Sequence, residues 1–489
     1  THPGFPIQIT GQNGHLMWGV TNGLTDTANI IRLKKVDQET YLIDNQPRKL
    51  IKRKERLCIG ETDCEEIIFY HINNIGPVLN GYFKILYKFF ENGSYGDEFF
   101  DEENYIYVLK SHLMSTESTT ARTIYDFQFH KTVDSFRGMM AKSDIPFNLV
   151  FADLSGNIFY QHAGFIPIHY DEEGNVISNK KEELEKHKHL GYCELITTSK
   201  QLHSDYIPFE HLPFVVNPEK GYVVSANNVV APENYPYYFS GGFYPDYRAR
   251  SMELAIKKLI EETGGKITPE MVREKVIDNI TDPWAEDAVS NVAKIVKNHQ
   301  TPDQTYLMED ELFREMIKFD GVSSFDSLPT LLYYAMENRF LWNLHLPEVS
   351  HGVKLGILAS HQIDNFVVYK LRKYAEDPSL CIEEYNHSCY ELINKSFKEG
   401  IELITRKLGK NKINWYWGNF NIKHYIHLPF SLVPGLKLAF HRIHKSNGSR
   451  RSPKISTCLP QNDNFHSIAS SNYKSIMTGD GFKDIWVSI

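Results

Sequence analysis

The hydrophobic period of this chain changes at Arg250, and that change limits the folds open to it. Up to Arg250, short apolar runs such as His15 to Val20, Tyr41 to Ile43, Glu66 to Ile72, Tyr82 to Phe90 and Tyr105 to Leu109 are punctuated by turn residues. Asn13-Gly14 and Asn22-Gly23 are two such signals, and Asn13-Gly14 between apolar runs predicts a hairpin. Thr120 to Ala141 interrupts the strands with helical spacing at Ile124, Phe127, Val133 and Phe136. Phe147 to Phe151 and Ile158 to Gln161, joined by Asp153-Leu-Ser-Gly156-Asn157, predict a second hairpin. Residues 170–205 are polar and Lys/Glu-rich and read as an exposed excursion. Gly221 to Ser225 reads as a strand that ends in Ala226-Asn227-Asn228.

Past Arg250 the pattern is helical. Met252, Leu254, Ala255 and Leu259 share one face of a helix that stops at Gly264-Gly265, and Thr268-Pro269 caps the next. Short strands return from Leu428. The expectation is therefore α+β, with a β-rich part over 1–250, a mainly helical part over 251–427 and C-terminal strands over 428–489. With 489 residues, 42% of them hydrophobic and 13% aromatic, the chain can bury a large core.

Other features narrow the partners. Net charge is -8, and the densest basic run, Lys49 to Arg56, is short and reads as a solvated strand face, so no nucleic-acid partner is expected. No run of about eighteen apolar residues exists, so no membrane partner is expected either. Cys58 and Cys64, and Cys381 and Cys389, lie close enough to close small disulfide loops, but spacing leaves the pairing open. The five N-x-[ST] sequons favour an extracytoplasmic location slightly. The histidines show no metal-binding spacing.

Four blocks, in order, resemble the penicillin acylase family of N-terminal nucleophile (Ntn) amidohydrolases. They are Gly11-Gln-Asn-Gly-His-Leu-Met-Trp18-Gly-Val-Thr21-Asn22 with Asp26, and Phe147-Asn-Leu-Val-Phe-Ala-Asp153 with Gly156-Asn157. Ile207-Pro-Phe-Glu-His-Leu-Pro213 leads into Ala226-Asn227-Asn228, and Pro236-Tyr237-Tyr238 precedes Tyr247-Arg248-Ala-Arg250. Phe319-Asp-Gly321 and Trp415-Tyr-Trp417-Gly418 fit weaker downstream blocks. The resemblance implies an αββα four-layer sandwich with a large helical insertion. It also implies hydrolysis of an N-acyl amide by an N-terminal hydroxyl whose own α-amine is the base, on a large chain partnered by a small chain from the same precursor.

By the same resemblance, Asn227 donates its side-chain amide to the oxyanion and the backbone N–H of Asn22 is the second donor. Arg250 is a scaffold for Asn227 and the α-amine, and Val20 and Phe147 line the acyl pocket. Asp26, the carbonyl of Ala28 and Asn29 occupy positions where some relatives bind calcium, although Asn29 stands where a carboxylate is expected; no cofactor is required. Each position also has a plainer reading: a turn for Asn227, a helix-start ion pair with Asp246 or Glu253 for Arg250, core packing for Val20 and Phe147, and loop capping for Asp26. The family nucleophile lies several tens of residues before the Gly11 block, so the chain reads as a large chain without it. Thr1 as the nucleophile, or an inactive binding protein, are the alternatives.

Overall fold

The computed structural model describes residues 9–60, 63–82, 101–114, 117–187, 193–202, 205–240, 246–298, 307–345, 363–427, 429–458, 466–470, 474–479 and 486–488. Thr1, and all but the start of the expected run from Tyr82 to Phe90, lie outside these residues. The chain forms two compact units, residues 1–244 with 479–483 and residues 245–478 with 484–489.

The strands of the first unit begin with β1 (Gly11–Gln12), β2 (Leu16–Asn22), β3 (Ala28–Asp37), β4 (Thr40–Ile43), β5 (Gln46–Lys49), β6 (Ile51–Ile59) and β7 (Asp63–Ile72). They continue with β8 (Gly76–Pro77), β9 (Tyr105–Ser111), β10 (Phe147–Asp153), β11 (Ile158–Ala163), β12 (Glu194–Ile196) and β13 (Phe214–Val216). One sheet runs β1-β2-β10-β11-β13; a second runs β12-β3-β4-β5 with β9 on β3; a third runs β6-β7-β8.

Both expected hairpins form for local reasons. Asn13 Oδ1 accepts the Leu16 N–H at 2.9 Å, and Gly14 turns the chain at φ +83°. Asp153 Oδ1 accepts the N–H groups of Ser155 and Asn157 at 2.9 and 3.0 Å to close the β10–β11 turn. Helices α1 (Thr120–Asp126) and α2 (Val133–Met140) then cover one face of the first sheet. Trp18 is buried there against Phe127 and Phe136, with ring centroids 5.8 and 6.0 Å apart. The second sheet has a separate core built on Ile31, Leu33, Ile106 and Val108.

Two expectations need correction. Residues 170–205 are not exposed throughout, because Glu194–Ile196 forms β12 and adds to β3 in parallel, with Ile196 and Gln201 buried. A three-residue strand whose partner is far along the chain leaves no periodic signal. Gly221 to Ser225 is not a strand; the last strand of that sheet is Phe214–Val216, and residues 222–225 are all half-buried rather than alternating. The basic run starts at the end of β5, passes the buried Leu50 and continues on β6, which is exposed along its length, with Lys54 paired to Glu66 at 2.7 Å. Cys58 and Cys64 bridge β6 to β7, and Cys381 bridges to Cys389.

The second unit is mainly helical. Its long helices are α3 (Tyr247–Thr263), α4 (Pro283–Asn298), α5 (Leu328–His345), α6 (Ile363–Glu376) and α7 (Cys389–Leu408). α3 ends where expected, on Gly264 at φ +61°. A sheet of β14 (Ile422–Tyr425), β15 (Arg442–Lys445), β16 (Ser456–Cys458) and β17 (His466–Ser470) has the order β15-β14-β17-β16. At the centre of the unit, Arg451 is buried between Asp282 and Glu337, 2.8 Å from each carboxylate. Tyr334 donates to Asp282 at 2.9 Å and Tyr333 to Glu337 at 2.8 Å.

Removing one partner from such a group leaves buried charge uncompensated. Arg451→Met is expected to lower the unfolding free energy by about 3–5 kcal/mol, measured from the urea midpoint. A loss below about 1 kcal/mol would show that water reaches the carboxylates.

Candidate functional site

Strand β2 ends at Asn22, and several elements of the first unit meet there. In the antiparallel ladder Phe147 lies opposite Asn22 and Asn148 opposite Thr21. The Gly23 N–H donates to the Pro146 carbonyl at 2.9 Å. Inward-pointing N–H groups alternate along such a ladder, so the Asn22 N–H is directed away from β10. Gly23 is demanded by space, since a Cβ there would lie 2.7 Å from His162 Cε1 and 2.9 Å from the Pro146 carbonyl oxygen.

The Asn22 carbonyl accepts two side-chain amides. Asn227 Nδ2 donates to it at 2.9 Å and Asn148 Nδ2 at 3.2 Å. Asn227 reaches this position from a left-handed backbone at φ +63°, a conformation Asn tolerates better than most residues. Beside it, Ser225 and Thr21 share a hydroxyl contact at 2.6 Å, which holds the irregular segment before Asn227 against β2. Asn228 turns back on its own loop, accepting the Ala226 N–H at 3.2 Å.

Asn148 is fully buried, and its Oδ1 accepts from Tyr160 and His162, both at 2.7 Å. An amide oxygen only accepts, so the proton on His162 sits on Nδ1. Burial pushes the His162 imidazole down to about 3, and it is neutral at ordinary pH. The sequence motifs single out neither Asn148 nor His162. They face each other across β10 and β11, but those strands also carry Asp153 and Gln161, so polarity alone did not mark the pair.

Val20 and Phe147 are half-buried and pack against the α1–α2 core, so the core-packing reading describes their contacts. Arg250 belongs to the second unit, near the start of α3. There it is 60% exposed and pairs with Asp246 at 2.5 Å, which is the helix-start ion pair of the plainer reading.

The Asp26 side chain is only 9% exposed, and its carboxylate lies 3.3 Å from His169 Nε2. Tyr238 packs edge-on against His169 at 5.1 Å. Asn29 is buried on β3, opposite Lys110 on β9. Burial drives the Lys110 ammonium down and the Glu194 carboxyl up; both groups interact electrostatically with Asp26. Calcium needs several oxygen ligands. Here the Asp26 carboxylate faces protein nitrogen bases, and among the described residues no three His, Cys, Asp or Glu side chains converge as a metal site. Asp26 and Asn29 as placed do not fit calcium.

Comparison with known proteins gives consistent results. The family model described as penicillin amidase matches residues 1–483. Penicillin G acylase of Escherichia coli is 23% identical over 227 residues, covering 46% of this chain and 23% of that protein. The match thus spans about a quarter of the curated relative's length. Among solved structures, the thermostable penicillin G acylase from Alcaligenes faecalis superposes with a TM-score of 0.61 at 15% identity, over 92% of this chain and 78% of that one. At that identity the likeness is one of fold.

Two outcomes are expected from this geometry. Because His162 binds its proton only near pH 3 when folded but near 6.5 when unfolded, its contribution is complete above about pH 6.5 and lost as pH falls. Below pH 6, unfolding free energy should drop with pH less steeply in His162→Phe than in the parent, by about 1.4 kcal/mol per pH unit. Calcium or EDTA should leave the Tm unchanged, while His169→Ala, which removes a buried ring packed on Asp26 and Tyr238, should cost about 2 kcal/mol. A Tm raised by calcium would restore the metal reading.

Proposed function

The chain belongs to the penicillin amidase family, and from that premise we propose that it is an amidohydrolase that cleaves the amide bond of N-acyl compounds. One observation carries the reading. The two positions expected to donate to an oxyanion, 205 residues apart in sequence, are joined by the bond from Asn227 Nδ2 to the Asn22 carbonyl.

In the proposed reaction, an N-terminal hydroxyl adds to the amide carbonyl and its proton passes to the α-amine of the same residue. The carbonyl oxygen becomes an oxyanion, which accepts from the Asn22 N–H and the Asn227 amide. Collapse expels the amine, which takes up the proton and leaves an acyl ester. Water then repeats the sequence and releases the acid. An amide has two N–H bonds: the one on Asn22 O orients the Asn227 group, and the second is the proposed oxyanion donor. The Asn22 N–H suits its role because the ladder directs it away from β10. Thr1, the alternative nucleophile, lies outside the described residues.

Other parts of the reading are proposals on the same premise. The first unit has the αββα layering of the Ntn class. Val20 and Phe147 face an aliphatic or aromatic acyl group, and a small chain from the same precursor completes the site. The two disulfides fit an oxidising, extracytoplasmic compartment.

The test is hydrolysis of a panel of chromogenic N-acyl anilides by the whole protein. Asn227→Ala should reduce kcat by about 10²–10³-fold with little change in KM, as loss of one oxyanion donor does. Asn22→Ala, which keeps the backbone donor, should stay within a few-fold of the parent. Equal losses in the two variants would remove the proposed division of roles. No turnover in the parent, with Asn227 still on Asn22, would favour the inactive binding protein.

A further inference from the structure

The segment between β14 and β15 has no place in the chemistry above. The two strands pair antiparallel, Tyr425 opposite Arg442, so the chain between them is a single excursion. Its base is closed by His424 and His441, whose Nδ1 and Nε2 lie 2.9 Å apart. The ring of His427 stacks on Phe430 at 4.9 Å, and Phe430 and Phe440 are 4.8 Å apart. Those contacts hold the excursion together from inside.

Its outer surface is apolar. The helix α8 (Pro434–Phe440) is exposed at each of its seven positions. Leu438 is 87% exposed, Leu432 72%, Ile443 60% and Ile426 59%. A helix in a water-soluble protein normally buries its apolar face, and a cluster of bare Leu and Ile this dense marks a contact surface. A helix bare on every side protrudes, so these residues form a tip and not a groove.

The charge carried by the excursion itself is of one sign. No Asp or Glu occurs from Leu403 to Asn462, in a chain whose net charge is -8. Lys423, Lys437, Arg442 and Lys445 lie on the helix or on the strands at its base. Protruding Leu and Ile on a segment that carries cations and no acids of its own match the interface of an anionic bilayer: apolar residues enter the acyl boundary and cations meet lipid phosphates.

We propose that the excursion from Tyr425 to Ile443 docks the protein on anionic lipid surfaces. Among the described residues no helix is long and apolar enough to cross a membrane. The contact is therefore peripheral, and it revises the expectation of no membrane partner, which rested on the lack of a spanning segment. It is independent of the acylase reading.

The experiment is flotation of the whole protein with phosphatidylcholine vesicles, with and without phosphatidylglycerol. Partition with the anionic vesicles, little with neutral ones and release by high salt are expected. Leu436→Ser/Leu438→Ser and Lys437→Glu should each weaken partition by about tenfold or more while leaving the Tm unchanged. Three results would overturn the proposal. One is a parent that stays unbound with anionic vesicles. Another is a lowered Tm in the Leu436→Ser/Leu438→Ser variant, which would place the leucines inside the fold. The last is a parent oligomer that this variant converts to monomer, which would assign the surface to a second copy of the chain.

Discussion

The peptide between Asn22 and Gly23 is held at both ends, and the candidate site depends on that restraint. Its N–H donates to the Pro146 carbonyl, and its oxygen accepts the amides of Asn148 and Asn227. Each bond comes from a different part of the first unit: the approach to β10, β10 itself, and the irregular loop after β13. An oxyanion site works only if its donors stay where charge will develop. A peptide bonded on both sides cannot rotate to follow water. That is why Gly23, which lets the chain approach His162 and Pro146, belongs to the site although it carries no chemistry.

The second layer of that restraint is a buried polar network. Asn148 passes the orientation of Tyr160 and His162 on to Asn22, and burial keeps His162 neutral. Asn148 is satisfied at both ends of its amide, while His162 Nε2 is buried without a hydrogen-bond partner. The donor-acceptor pattern leaves Asn148 one orientation, amide toward Asn22 and oxygen toward Tyr160 and His162. This fixes the geometry at Asn22 with neutral groups.

Elsewhere the molecule handles buried charge by pairing it internally. Asp26 faces His169 in the first unit, and Arg451 lies between Asp282 and Glu337 in the second. In the first case a histidine stands beside the carboxylate that the family resemblance assigned to calcium. Calcium asks for several oxygen ligands, and among the described residues no three His, Cys, Asp or Glu side chains converge as a metal site. The departure was partly visible in Asn29, which replaces a carboxylate. His169 was not, because it is far away in sequence and has no motif around it.

Local signals in the sequence were enough for the hairpins at Asn13-Gly14 and Asp153 to Asn157, the α1–α2 pair, and the stop of α3 at Gly264, because turn and cap chemistry acts over a few residues. The ordered blocks from Gly11 to Arg250 were enough for the family, and they singled out Asn22 and Asn227. Tertiary structure alone decided what lies between those blocks. It joined Asn227 to Asn22, put Asn148 and His162 behind them, paired β12 with β3 and set His169 against Asp26. The strand expected at Gly221 to Ser225 failed for the same reason that the network was invisible. Alternation records which residues meet a core, whereas side-chain hydrogen bonds such as those of Asn227 and Asn148 to Asn22, 205 and 126 positions apart, leave no period for a sequence to show.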